Sequence, residues 1–565
     1  MSTLVAALDN FTPKQLGENM HCEHGWSHDL KEEIVQIFFQ LTRTSDKSIM
    51  ENLAARFQSL ISRCASTSVS RDAQLIWTLQ RLAAQTRDLV DGKGEYRLGW
   101  YLINAFDKAG QNDTARRLIY YSVHPLPVDQ ITEFTGKTLE AHPYGSWKDI
   151  KYLWSQFDWS QETSDFMINL VNTQLSSDLN AVQSKEGTPT LCGRWVPRES
   201  SQFRKMFRVL AQNYFADWID VARNAGISEE GRYSSMNSRV EAAKRKAYRE
   251  YRGIISTLNK ALKTPQVNMC GKSWADIDYD KDVTSVTLSR SSKAFRNKDK
   301  KGQQRSEDPD RIQAALNYEN WLASKVSKGE TVKGARVGLN DLVSQALQNS
   351  YNSTDVSEKN RLNLQWKDGA DKIGQLGNIV AMCDTSGSMD GDPMNAAIGL
   401  ALRVAEKSAL GKRVMSFSAT PRWQILPEDD DFVRDCLAIR GIDDWGMNTN
   451  FTAALKLILD SCVAAKLSND QVGDIVLAVF SDMQIDSQGN ESLTQSMWDH
   501  IQSLYAANGY TKVPHILFWN LRSTSGFPVM STQLNATMFS GFSPALLNIF
   551  CEKGMDGIRE CTPFS

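Results

Sequence analysis

Asn378-Ile-Val-Ala-Met-Cys-Asp384-Thr-Ser-Gly-Ser388 is an apolar run that breaks into a turn, and its reading decides the fold of the second half of the chain. Ile379 to Cys383 show no polar alternation, which describes a strand covered on both faces, as in a parallel sheet. Val414-Met-Ser-Phe417, Asp474-Ile-Val-Leu-Ala-Val-Phe480 and His515-Ile-Leu-Phe-Trp519 repeat the pattern. Helical stretches from Pro393 to Ala409 and from Phe451 to Ala465 lie between them. Strand and helix alternating at this spacing make βαβ units, hence a doubly wound, Rossmann-like parallel sheet. Asp392 reads as the N-cap of the first of these helices, with Pro393 at its first turn.

Open parallel sheets bind ligands at the carboxyl ends of their strands. The first strand runs straight into Asp384, Ser386 and Ser388, which can aim three oxygen groups at one spot. Trp445-Gly-Met-Asn-Thr-Asn-Phe451 places Thr449 in a loop before a helix, and the strand ending at Phe480 delivers Ser481 and Asp482. Hard oxygen donors without histidine or thiolate suit Mg²⁺, or Mn²⁺, at ~2.0–2.1 Å in an octahedral shell. Asp384, Ser386, Ser388, Thr449 and Asp482 resemble the metal-ion-dependent adhesion site (MIDAS) of von Willebrand factor A domains. That resemblance implies direct metal contacts from Ser386, Ser388 and Thr449, with Asp384 and Asp482 acting through waters. It also implies an open position for the acidic group of a protein ligand.

Residues 28 to about 350 read differently. Leu30 to Leu41, Ala73 to Ala84 and Val240 to Leu262 carry apolar residues three and four apart, the period of amphipathic helices. Many helices with few strand signals suggest stacked helical pairs, a HEAT-like solenoid. Lys298 to Asp310 and Asn349 to Gln375 are poor in apolar residues and read as loop and linker. The expected division is therefore a helical body over 1–375, ending in the 349–375 linker, and a sheet domain over 376–565. Limited proteolysis would then cut first in one of those two polar stretches. Arg87-Asp-Leu-Val-Asp-Gly-Lys-Gly-Glu95, His142-Pro-Tyr-Gly-Ser-Trp-Lys-Asp149, Arg194-Trp-Val-Pro-Arg198 and Tyr251-Arg252 resemble motifs of TROVE proteins, the group of the Ro autoantigen. Met389-Asp-Gly-Asp-Pro-Met394 and Phe480-Ser-Asp-Met-Gln-Ile-Asp486 look most like an uncharacterised branch of plants and large viruses. In the Ro branch a ring of helical repeats precedes a von Willebrand A domain and binds RNA, so the resemblance implies an RNA-binding ribonucleoprotein scaffold.

Composition bounds the remaining choices. The 565 residues are 41% hydrophobic and 23% charged, enough to build large cores in two to four domains. The longest unbroken apolar run, Ile475 to Phe480, is far short of the ~20 residues of a membrane span, so no membrane partner is expected. Nine cysteines without a CxxC pair, and an N-terminus without a basic secretion signal, point to a reducing, cytoplasmic setting. Net charge is only −2, yet Arg232 to Arg305 holds 18 Lys and Arg against 7 Asp and Glu. Arg245, Arg249, Arg252, Arg290, Lys293, Arg296 and Lys298 are the candidate phosphate contacts there. The competing reading is a solvated helical surface balanced by acidic neighbours.

Other motifs fail on their chemistry. His21-Cys-Glu-His-Gly-Trp-Ser-His28 has no second ligand cluster at zinc spacing. Asp276-x-Asp278-x-Asp280 has Lys281 where a calcium loop needs Gly and Thr287 where it needs Glu. Asp91-Gly-Lys-Gly94 lacks phosphate-loop spacing and reads as a helix–helix turn. Ser386 and Ser388 have no nearby histidine to activate them as nucleophiles, and no base near Asp384 supports a phosphohydrolase. The expectation is a non-enzymatic RNA-binding scaffold with a divalent-metal site. The alternative is a protein–protein adaptor or viral assembly component that uses the metal site without RNA.

Overall fold

Alternate residues of the buried strands face opposite layers of helices, and that alternation builds the C-terminal sheet. The computed structural model describes residues 14–17, 22–66, 70–125, 142–225, 236–352, 355–370, 374–417, 420–441, 450–484 and 497–547. They form two compact units. One comprises residues 1–99, 284–305 and 315–565; the other comprises 100–283 and 306–314.

The first unit contains a short hairpin, β1 (Lys14–Leu16) with β2 (Cys22–His24), and a six-stranded sheet. The sheet strands are β3 (Ile379–Asp384), β4 (Arg413–Phe417), β5 (Arg422–Ile425), β6 (Val476–Ser481), β7 (His515–Asn520) and β8 (Ala536–Ser540). They lie in the order β5-β4-β3-β6-β7-β8, parallel except for β5. All four expected strands are present within a residue or two. The sequence reading missed β5 and β8, because β5 is a half-exposed edge strand with the polar pattern Arg-Trp-Gln-Ile and β8 is interrupted by Thr537 and Ser540.

Val380 and Met382, Met415 and Phe417, Leu477 and Val479, and Ile516 and Phe518 share one face. They pack against Phe451, Leu455, Ile458 and Leu459 of the helix Phe451–Ala464, and against Ile501 and Tyr505. Each fully buried side chain of this size contributes ~1.5–3 kcal/mol. The helix Asp392–Lys407 packs on β3 and also meets the helix Leu339–Asn352. There Gly399 allows close approach, since a Cβ at that position would stand 2.9 Å from the Leu339 Cβ. Gly391, rather than Asp392, is the N-cap of this helix, and Pro393 sits inside its first turn.

The described residues of the expected linker are instead largely helical. Residues 349–352 end one helix and Val356–Ala370 form another, in which Arg361, Leu362, Gln365 and Trp366 are buried. Trp366 stacks on Phe432 at 4.1 Å, lies 3.5 Å from the Arg403 guanidinium carbon, and donates its indole N–H to Glu406 at 2.6 Å. Arg361 donates to Gln345 and Glu358. A face closed by paired polar groups has the composition of a linker, which is why the apolar count misled. Lys298 to Arg305 is likewise ordered: Lys298 and Gln304 form a β-bridge, and the Arg305 N–H donates to Asn297 O at 2.8 Å. Trypsin is therefore expected to spare Lys359, Arg361 and Lys367 until the sheet itself unfolds. Early cleavage at Arg361, read by mass spectrometry of the first fragments, would contradict the packed helix.

In the second unit the helices Arg204–Tyr214 and Cys192–Trp195 pack against the long helices Gln161–Ser184 and Met236–Ala261. Ala247, Tyr251, Ile255 and Leu258 form the buried stripe of the last of these. Tyr251 donates its hydroxyl to buried Asn172, whose amide donates to Leu210 O, so the stripe is anchored by polar bonds as well as packing.

Candidate metal centre

The parallel register sets Cys383 beside Phe480, so the next residues, Asp384 and Ser481, emerge side by side at the carboxyl ends of β3 and β6. Ser481 Oγ donates to Asp384 Oδ2 at 2.6 Å. The turn after β3 closes on the same carboxylate, with the Ser386 N–H donating to Asp384 Oδ1 at 2.9 Å. Ser386 Oγ and Ser388 Oγ are 3.1 Å apart, Ser386 buried and Ser388 exposed. Asp384, Ser386, Ser481 and Asp482 are therefore within or next to a sealed strand edge, with Ser388 at its mouth.

Asp482 follows β6 and is also fully buried. Its Oδ1 accepts from the Gln484 N–H at 3.2 Å, while its Oδ2 has no hydrogen-bond partner. The Arg522 guanidinium, half-exposed, stands 3.6 Å from that oxygen. Met483 takes a left-handed backbone, φ 61°, and donates its N–H to Ser481 Oγ. A non-glycine residue in that region costs ~1–3 kcal/mol, a strain characteristic of functional turns. Burial, and then the charge of Asp482, push the Asp384 carboxyl up to about 7.

Two buried carboxylates that repel one another, one of their oxygens without a hydrogen bond, and two adjacent hydroxyls form an all-oxygen donor set. These residues fit a divalent cation, whose charge would relieve the repulsion and satisfy Asp482 Oδ2. Of the five expected ligands the structure brings Asp384, Ser386, Ser388 and Asp482 to one edge; Thr449 lies outside the described residues. Sequence reasoning left Ser481 and Arg522 out of the site. Ser481 had a signal, its place next to Asp482, whereas nothing local announced Arg522.

The basic candidates separate. Arg245, Arg249 and Arg252 are exposed on the helix Met236–Ala261 of the second unit, Arg249 paired with Glu250 and Arg252 with Glu199. Arg290 and Lys293 are exposed on the helix Ser285–Phe295 of the first unit. Arg296 and Lys298 are corrected. Arg296 is buried and donates to Asp355 at 2.8 Å and Glu319 at 2.7 Å, and half-buried Lys298 pairs with Asp355 at 3.3 Å. Their charges are consumed inside the fold.

The rejected motifs find ordinary places. Asp91 to Gly94 lie in a turn between helices, where buried Lys93 donates to Phe38 O, Leu41 O and Ser540 Oγ. Asp278 closes a turn by accepting from the N–H groups of Asp280 and Lys281. His21 of the histidine-rich stretch lies outside the described residues.

Residues 378–562 match the model of a "Domain of unknown function (DUF7788)", and residues 165–379 that of a "Domain of unknown function (DUF2828)". The two matches meet at residues 378–379. Uncharacterized protein L728 of Acanthamoeba polyphaga mimivirus is 28% identical over 425 residues, 72% of this chain and 67% of that protein. Among solved structures, the Deinococcus radiodurans Ro (RSR) protein is similar at a TM-score of 0.34 and 10% identity, over 93% of this chain and 99% of that one. Among the described residues no helix is long and apolar enough to cross a membrane.

Proposed function

We propose that this protein is a non-enzymatic, RNA-binding scaffold whose sheet domain is of the von Willebrand A type and holds Mg²⁺ or Mn²⁺ for attachment of an acidic protein ligand. The observation that carries the metal reading is the pair of buried carboxylates, Asp384 and Asp482, converging at the strand ends with one oxygen that accepts no hydrogen bond. Ser386, Ser388 and Thr449 would hold the ion directly, and Asp384 and Asp482 would supply the compensating charge. A bound divalent ion supplies Lewis acidity that draws an anionic oxygen. The chain's own part is to keep both aspartates dry, with Ser481 and the Ser386 N–H fixing the Asp384 carboxylate in orientation. Exposed Ser388 marks the side from which the ligand arrives.

The RNA reading assigns the helical body, HEAT-like in character, a phosphate-tracking face at Arg245, Arg249 and Arg252, with Arg290 and Lys293 as further exposed contacts. Guanidinium forks match phosphate oxygens, and displaced counterions make such binding steeply salt-dependent. The test is RNA affinity against salt for the wild type and for Arg245→Glu/Arg249→Glu. The variant is expected to bind at least about tenfold more weakly at low salt, with a slope shallower by roughly two ions. Identical curves, or a preparation that binds no RNA at low salt and shows no nucleic-acid absorbance, would favour the adaptor reading.

A further inference from the structure

The second unit holds a cavity of about 930 Å³ that lies apart from the metal site and shares only Arg252 with the exposed arginine face. Arg194, Arg198, Arg252 and Lys260 line it, against a single carboxylate, Glu199, which is paired with Arg252. Its apolar floor includes Phe207 and Ile255. The volume lies in the range of pockets that take small organic ligands, roughly 300–1,000 Å³.

The charge is concentrated by construction. Gly193 lets the helix Cys192–Trp195 lie directly on the helix Met236–Ala261, since a Cβ there would stand 2.9 Å from the Leu258 Cβ. Asn259 secures the crossing, its amide donating to Gly193 O at 2.8 Å and Ile255 O at 2.7 Å. Arg194 on one helix and Arg252 and Lys260 on the other thereby border the same space. Next to it, Lys148, Lys151 and Arg194 surround the Trp195 ring at 5.7, 4.9 and 5.5 Å. Burial, then the charges of Lys148 and Arg198, hold the Lys151 ammonium below the usual lysine range; burial lowers Arg194 and Arg198 likewise. Among the described residues no carboxylate comes within ion-pair distance of Lys148, Lys151, Arg194, Arg198 or Lys260. Like charges gathered without counter-charges are suited to a ligand that brings several negative oxygens at once.

We propose that this cavity binds a phosphate monoester, carried either by a free nucleotide or by the 5′ end of an RNA strand. A phosphate monoester offers about −1.5 to −2 charge and three acceptor oxygens, enough for two guanidinium forks and an ammonium, whereas one carboxylate would leave most of them unmatched. The cavity is independent of the metal site, and its RNA arm alone rests on the RNA reading above.

The test uses the full chain, with AMP against adenosine by calorimetry and a 5′-phosphorylated against a 5′-hydroxyl RNA oligonucleotide by fluorescence anisotropy. At least one phosphorylated member is expected to bind about tenfold or more tightly than its unphosphorylated partner. Preference for AMP identifies a nucleotide site; preference confined to the oligonucleotide identifies a strand end. Arg194→Gln/Arg198→Gln should bring the pair to parity, and exposed Lys260→Gln, which removes no packing, should narrow the preference even if the double variant fails to fold. Asp384→Asn should leave the preference unchanged, which separates this site from the metal centre. If AMP binds and RNA does not, the cavity stands and the RNA reading falls. The absence of preference in both pairs, or a preference that survives Lys260→Gln and any folded double variant intact, overturns the proposal.

Discussion

Asp384→Asn is expected to lower Mg²⁺ affinity by more than about 100-fold, ~2.7 kcal/mol, in isothermal titration calorimetry. The substitution removes one of the two buried charges that face each other across the strand ends, while the amide oxygen can still accept from the Ser386 N–H and the amide NH2, in place of Oδ2, can donate to Ser481 Oγ. The fold should therefore survive: the metal-free variant loses a buried repulsion between Asp384 and Asp482 and is expected to melt no lower than the wild type. Added Mg²⁺ should raise the melting temperature of the wild type but not of the variant, because an ion that binds only the native state stabilises it by mass action. Asp482→Asn should act in the same direction. Equal Mg²⁺ affinity in wild type and Asp384→Asn would remove the metal assignment and the partner reading with it.

Arg296→Ala is expected to destabilise the first unit by ~2–4 kcal/mol in urea denaturation while leaving RNA affinity unchanged. The guanidinium is buried among Asp355, Glu319 and, at 4.0 Å, Glu358, so its removal strands carboxylates that the fold has partly desolvated. The lower end of the range reflects the partial exposure of Glu319 and Asp355, where water screens the loss. Burial alone would raise the Asp355 carboxyl; its bonds to Arg296 overcome this and hold it at about 2. An unfolded Asp titrates near ~4, so this stabilisation is complete above that pH and is lost as pH falls from about 4 to about 2. The variant should show a flatter stability profile across that window. A fall in RNA affinity with unchanged stability would reverse the assignment and return Arg296 to the phosphate-binding set.

Arg245 and Arg296 sit in the same basic stretch and are indistinguishable by composition, yet one is exposed and the other is an internal strut. Uninterrupted apolar runs such as Ile379–Cys383 and Ile475–Phe480 announced the parallel strands, because a strand covered on both faces cannot tolerate polar residues wherever it lies. The same local rule put Asp384 and Asp482 at strand ends, since a strand stops where its apolar run stops. Tertiary structure alone decided how each polar group is answered. It made the polar stretch around Arg361 and Trp366 a packed helix, answered the charge of Arg296 with Asp355 and Glu319, and brought Arg522 from beyond β7 to the Asp482 oxygen that accepts no hydrogen bond. It also gathered Arg194, Arg198, Arg252 and Lys260 around one cavity. Backbone periodicity is a property of neighbours in sequence, whereas the free energy of a buried charge depends on which distant groups the fold sets against it.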